Sequence, residues 1–307
     1  MITRRGWIAG ALGVPAWALP QPKGVLIETH VHLFGDDPAR FPFSKASYQP
    51  KPNPVEPFVK FAQEAKLDHA VIVHPEPYQD DHRYLEYCLS KEPSKGFFKA
   101  TCLFDPIDPE TPKRMQTLMK RNPGRIVALR IHETHNPGTP STTNGAIRDR
   151  DLHDPQMAKT WAAAHELGLG IQLHFIPHYA PQIAELVAKF RDMPIILDHL
   201  ARGGHGTPEE FDEVLKLSKY PRVYMKYSDT GVAACSRQPY PHLDAKPIVR
   251  RAYEAFGAER MIWGELGNSM ATFEKTAALL DTMFDYAPDS DRVKIRGLTA
   301  KKLFAFA

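Results

Sequence analysis

Two histidines one residue apart, His30 and His32, follow the apolar run Gly24-Val25-Leu26-Ile27. Along a strand, residues i and i+2 project from the same face, so both imidazoles can converge on one ion. Further polar or titratable groups end other apolar runs: His74, Arg130 and His132, Gln172 and His174, Asp198 and His199, Lys226 and Ser228, and Glu265. Burying such groups costs several kcal/mol unless they are paired or metal-bound. Their concentration at run ends therefore points to a built site. His30, His32, His174 and His199 can supply neutral nitrogens to one divalent ion, with a carboxylate completing the shell. Zinc is the expected ion and manganese the alternative. An open position would hold a water whose pKa falls toward about 7, and a carboxylate could accept its proton.

Residues so far apart in the chain need a scaffold that gathers strand ends. Spans 25–30, 69–74, 97–104, 125–132, 170–175, 194–199, 222–227 and 260–264 read as strands, being short apolar runs bounded by turn residues. Amphipathic patterns lie between them at 55–65, 82–90, 112–121, 156–166, 180–191, 208–219, 245–256 and 272–286, with a closing helix at 290–304. The alternation predicts a single-domain (β/α)8 TIM barrel over residues 21–307, with all strand carboxyl ends at one face. An open doubly wound sheet is the alternative, but no Gly-x-Gly-x-x-Gly follows the first strand. The longest connection, 34–54, carries Phe41, Phe43 and Tyr48 and serves either as a substrate lid or as a plain cover of the barrel top.

Composition bounds the partners. The 39 basic and 36 acidic residues nearly balance, and no dense Lys/Arg run marks a nucleic-acid footprint. Arg4-Arg5 precedes an uncharged stretch from Trp7 to Leu19, and Ala16-Trp17-Ala18 resembles a cleavage site. Residues 1–20 thus read as a twin-arginine-type signal, implying a periplasmic or secreted protein with no membrane contact after its removal. That stretch is too short to span a bilayer. Cys88, Cys102 and Cys235 have neither metal-site spacing nor an even count for a disulfide framework. The partners expected are a small-molecule substrate, acidic or aromatic, and at most a second copy of the chain.

Ile27-Glu28-Thr29-His30-Val31-His32, Ile196-Leu197-Asp198-His199-Leu200-Ala201, Val223-Tyr224-Met225-Lys226-Tyr227-Ser228 and Glu259-Arg260-Met261-Ile262-Trp263-Gly264 occur in this order. Together they resemble the signature segments of the amidohydrolase superfamily, in its amidohydrolase-related branch of lactone hydrolases and aromatic-acid decarboxylases. The resemblance covers essentially all of residues 21–307. It implies that His30 and His32 form the first-strand metal pair and that His174 and His199 are further ligands. Arg130 and Lys226 sit where lactonase relatives hold a substrate carboxylate or polarise a carbonyl. His178 and Tyr227 are added as pocket-lining candidates. Some relatives in the branch work without a metal.

The chain departs from the pattern at the eighth strand. The family ends it Gly-Ser-Asp or Gly-Thr-Asp, whereas here it reads Gly264-Glu265-Leu266-Gly267-Asn268. Glu265 is expected to replace the aspartate as ligand and proton acceptor, with Asp198, His178 or His205 as alternative bases. The expected activity is a metal-dependent opening of a lactone or related ester. Nonoxidative decarboxylation on the same barrel is the second reading, and a non-catalytic periplasmic ligand-binding barrel the third.

Overall fold

A computed structural model of the chain describes residues 24–142 and 145–307. Its eight strands hydrogen-bond in chain order: β1 Ile27–Val31, β2 His69–Val73, β3 Phe98–Leu103, β4 Ile126–Glu133, β5 Gly170–Phe175, β6 Ile195–Leu197, β7 Val223–Tyr227 and β8 Met261–Trp263. Every neighbouring pair is parallel. This is the (β/α)8 barrel expected from the sequence. The stretch read as a signal, residues 1–20, lies outside the described residues. No described helix is long and apolar enough to cross a membrane.

Helices α1 Val55–Glu64, α2 Arg83–Ser90, α3 Thr111–Arg121, α4 Pro155–Glu166, α5 Ala180–Lys189, α6 Pro208–Lys216, α7 Asp229–Ala234, α8 Lys246–Phe256 and α9 Met270–Met283 follow the strands. Helix α7 had no periodic signal; it is six residues long and starts where Ser228 caps the Gly231 amide. The closing helix is interrupted. Between α10 Asp289–Val293 and α11 Thr299–Leu303 the chain takes a π-helical turn, Lys294–Leu298. A Cβ on Gly297 would lie 2.1 Å from the Val25 carbonyl oxygen, so only glycine lets this turn rest on the start of β1.

Strand alternation divides the core. Outward residues such as Ile171, Leu173, Val223, Met225 and Tyr227 pack under the helices. Ile27, Val71, Ile196 and Ile262 fill the lower lumen, plugged by Ala300, Phe304 and Phe306. That apolar plug leaves the upper lumen for polar groups.

Two details position those groups. A bulge shifts the register between Glu28 and Val31. It returns His30 and His32 to the inside even though Ile27 also faces inward, a common device beside functional sites. The ring is fastened at the β8–β1 seam by side chains. Thr29 Oγ1 donates to the Trp263 carbonyl at 2.7 Å. The Glu28 carboxylate accepts from the Glu265 amide at 2.9 Å and the Leu266 amide at 2.6 Å. Gly264 stands against this seam, where a Cβ would come within 2.6 Å of the His30 Cβ.

Candidate active site

The bulge aims both β1 imidazoles at one point. His30 Nε2 and His32 Nε2 are 3.2 Å apart. His32 Nδ1 lies 2.8 Å from the Val73 carbonyl, which only accepts, so Nδ1 carries the proton and Nε2 the lone pair. Beneath them Asp198 is fully buried. Its Oδ1 lies 3.6 Å from His30 Nδ1 and 3.0 Å from Lys226 Nζ. Its Oδ2 accepts from Arg130 Nε at 3.1 Å and Gln172 Nε2 at 2.9 Å. Burial alone would push the Asp198 pKa up, but Lys226, His30 and Arg130 outweigh it and hold the carboxyl well below the usual range. Burial, first of all, keeps both β1 histidines neutral, His32 down to about 3.

His199 completes the cluster, its ring 4.4 Å from that of His30 between centroids. It opens a run of four left-handed residues, His199, Leu200, Ala201 and Arg202, with φ between 49° and 55°. Each such L-residue costs about 1–2 kcal/mol, so the surroundings must impose the turn. Ser228 Oγ lies 2.7 Å from His199 Nδ1. Leu200 and Ala201 are wholly buried. Gly231 in α7 presses on the His199 backbone, where a Cβ would sit 2.7 Å from the carbonyl carbon. We therefore expect Gly231→Ala to lower the thermal midpoint by several degrees and the turnover with it. A variant with wild-type melting and kinetics would show that the turn does not need this contact.

Glu265 reaches the cluster from the other side. Its backbone is left-handed, φ 63°, and its Oε2 accepts from the Thr230 amide at 2.8 Å. Oε1 is left 3.7 Å from His199 Nδ1. Leu266, the residue aligned with the family aspartate, is buried. An opening of about 350 Å³ gives solvent access here, lined by His30, His32, Asn53, Asp229, Glu265 and Asn268 among others. Glu28, overlooked in the sequence because it faces the seam, sets the height of both walls. It accepts from the His30 amide as well as from the two β8 amides. Burial pushes its pKa up to about 7 against the pull of those three donors.

Several expected positions need correction. Lys226 is fully buried and donates to the Thr29 carbonyl at 3.0 Å; its charge is spent on Asp198 and not on a substrate. Asp198, gripped by two cations, is a poor proton acceptor, and its contacts orient His30 instead. Tyr227 follows Lys226 on β7 and so points outward, packing 5.1 Å from the Phe284 ring. His178 is largely exposed and pairs with Glu210 at 3.0 Å, at the start of α6. His174 lies inside, its ring 5.2 Å from that of His199, but its Nε2 faces Arg202 Nη1 at 3.3 Å. Arg202 itself escaped notice, because a basic residue after a strand is ordinarily a solvated one. It is half-buried, faces the imidazoles of His174 and His205, and has no carboxylate partner among the described residues.

The donor set suits a zinc-type ion. Two ligands on tetrahedral zinc, with bonds near 2.0–2.1 Å, are separated by about 3.3 Å, close to the His30–His32 spacing. His30, Asp198 and His199 each bring one ligand atom within 4.8 Å of the others, although Asp198 Oδ1 is already ion-paired with Lys226 at 3.0 Å.

A parallel eight-stranded barrel with imidazoles and carboxylates gathered at the carboxyl ends of its strands defines a (β/α)8 enzyme. The chain belongs to the amidohydrolase family, whose profile matches residues 27–306. It is 25% identical over 275 residues to 4-sulfomuconolactone hydrolase of Hydrogenophaga intermedia, covering 86% of this chain and 83% of that protein. A Pseudomonas putida protein designated a 2-pyrone-4,6-dicarboxylic acid hydrolase has the same fold, with a TM-score of 0.72 and 20% identity, covering 92% of this chain and 98% of that one. So does a zinc-bound amidohydrolase of Burkholderia multivorans, with a TM-score of 0.68 and 14% identity, covering 92% and 100%.

Proposed function

We propose that this enzyme opens a cyclic ester carrying an anionic group. The observation that carries this reading is the convergence of His30 Nε2 and His32 Nε2 to 3.2 Å at the barrel mouth; across the site Arg202, on the His174 imidazole at 3.3 Å, has no carboxylate partner among the described residues. His30 and His32, with His199 and Asp198 beside them, would hold a divalent ion of the zinc type; such an ion polarises a carbonyl and lowers the pKa of water. Glu265, partly exposed and 3.7 Å from His199, takes the proton of the water that attacks the carbonyl carbon. The ring C–O bond then breaks, and the same carboxyl returns the proton to the leaving oxygen. Arg202, and the outer nitrogens of Arg130, hold the substrate's carboxylate or sulfonate. The named lactone hydrolase relative supports an acidic cyclic ester as substrate. An exported location rests only on Arg4-Arg5 and the apolar stretch after them.

The test is a screen of pyrone and muconolactone acids with zinc-loaded and chelator-stripped protein. Ring-opened acid formed with one proton released per turnover is expected, and loading should restore what stripping removes. Release of carbon dioxide instead would replace hydrolysis by decarboxylation, and no turnover of any acid would favour a binding protein. Glu265→Gln is expected to lower kcat by about 10²–10⁴-fold. Arg202→Gln should raise KM by about 10–100-fold with a smaller change in kcat, the loss of one charge-assisted bond. An unchanged KM would remove Arg202 from the substrate site.

A further inference from the structure

His135, in the loop after β4, takes no part in the function above. Neither does Glu133, the last residue of that strand. His132 faces the lumen, its ring 5.3 Å from that of His174, so alternation turns Glu133 to the opposite side. There it meets His135 and Asp149, and one ligand atom from each residue lies within 4.8 Å of the others. Glu133 is 2% exposed and Asp149 5%. Among the described residues, Glu133 Oε1 is buried and takes no hydrogen bond. It is aimed at His135 Nδ1, which approaches it closely but outside hydrogen-bonding geometry.

The proton positions sharpen this. The Tyr179 hydroxyl donates to the His135 carbonyl at 3.1 Å. Its oxygen then accepts from His135 Nε2 at 2.7 Å, which places the ring proton on Nε2 and the lone pair on Nδ1. A lone pair and a carboxylate oxygen thus face each other in a buried pocket. Asp149 Oδ1 accepts from both the amide and the hydroxyl of Thr134 at 2.8 Å, while Oδ2 is held only by long contacts, the Thr142 hydroxyl at 3.5 Å and Arg148 Nε at 3.6 Å, which an ion would displace. Burial first of all, then Asp149 and Asp151, raises the Glu133 pKa to about 9 against the pull of Arg150.

We propose that Glu133, His135 and Asp149 hold a second divalent cation of the zinc type, separate from the ion of the barrel mouth. One imidazole and two carboxylates, with a water as fourth ligand, form an ordinary set for that ion. Its role is to fasten the 134–150 loop to the end of β4. The same loop ties to the β2 side through the Ile147 amide, which donates to Gln79 Oε1 at 2.6 Å.

Zinc titration of chelator-stripped whole protein, by calorimetry with elemental analysis, tests this. Two equivalents binding tighter than about 1 μM are expected in the wild type. One is expected to remain in His30→Ala/His32→Ala, and one to be lost in Glu133→Gln and in His135→Ala. Zinc should also slow proteolytic cleavage within 134–150 about tenfold or more in the wild type, but not in Glu133→Gln. A single equivalent in the wild type would overturn the proposal, as would two retained in a folded Glu133→Gln protein. A proton shared between Glu133 and His135 would then account for the contact.

Discussion

His32→Ala abolishes high-affinity metal binding at the barrel mouth and slows turnover of the cyclic ester by about 10³-fold or more. The size follows from what the ring does. His32 Nε2 lies 3.2 Å from His30 Nε2 at the opening, and its tautomer is held by the Val73 carbonyl. Loss of a first ligand removes several kcal/mol of transition-state stabilisation, and about 4 kcal/mol is three powers of ten. Stability should change little, because the side chain lies at the partly buried mouth of the barrel and not in the apolar layer. Metal content and kcat/KM measured on the same folded sample decide the matter. A variant that keeps its zinc and its rate would remove His32 from the centre.

Asp198→Ala strikes the fold as well. The substitution leaves Arg130 and Lys226, 3% and 0% exposed, without their shared counter-ion. Removing one partner of a buried ionic group costs about 3–5 kcal/mol, or on the order of 10 °C in midpoint for a chain of this size. Asp198→Asn, which keeps an acceptor for Arg130, should lose less. The pH dependence follows from the depressed carboxyl. Its contribution is fully present above the unfolded value of 3.8 and fades as pH falls below that, through the lower folded pKa. Wild type should therefore lose stability on acidification below about pH 3.8 more steeply than Asp198→Ala. Parallel acid-unfolding curves for the two proteins would show that the carboxylate is not what compensates these cations.

Sequence periodicity carried the architecture well. The β5 strand has the bounds read from its apolar run, and the others differ by one or two residues at an end. The shortest, β6 and β8, stop early because Asp198 leads into the left-handed turn and Glu265 takes a positive φ. Neither turn is encoded by glycine at those positions, so no local signal marks it. The β1 pair was legible from spacing, although the i and i+2 rule needed a bulge to bring it inward. Lys226 and Tyr227 were misassigned for related reasons. A strand end tells which face a residue takes only once the register is known, and it does not tell how deep the residue lies. The grouping of Glu133 with Asp149 was invisible, because a loop returning on itself has no period to read.

The stitching of β8 to β1 has a consequence for biogenesis. Glu28 and Thr29 wait for partners at Trp263, Glu265 and Leu266, which leave the ribosome some of the last. Synthesis proceeds at about 5–20 residues per second, so for most of translation the first strand has no neighbour on one flank. A nascent chain therefore carries its histidines long before it has a place to put an ion. Cofactor acquisition becomes a post-translational event, and truncation shortly before residue 266 should leave a chain unable to retain metal at the mouth.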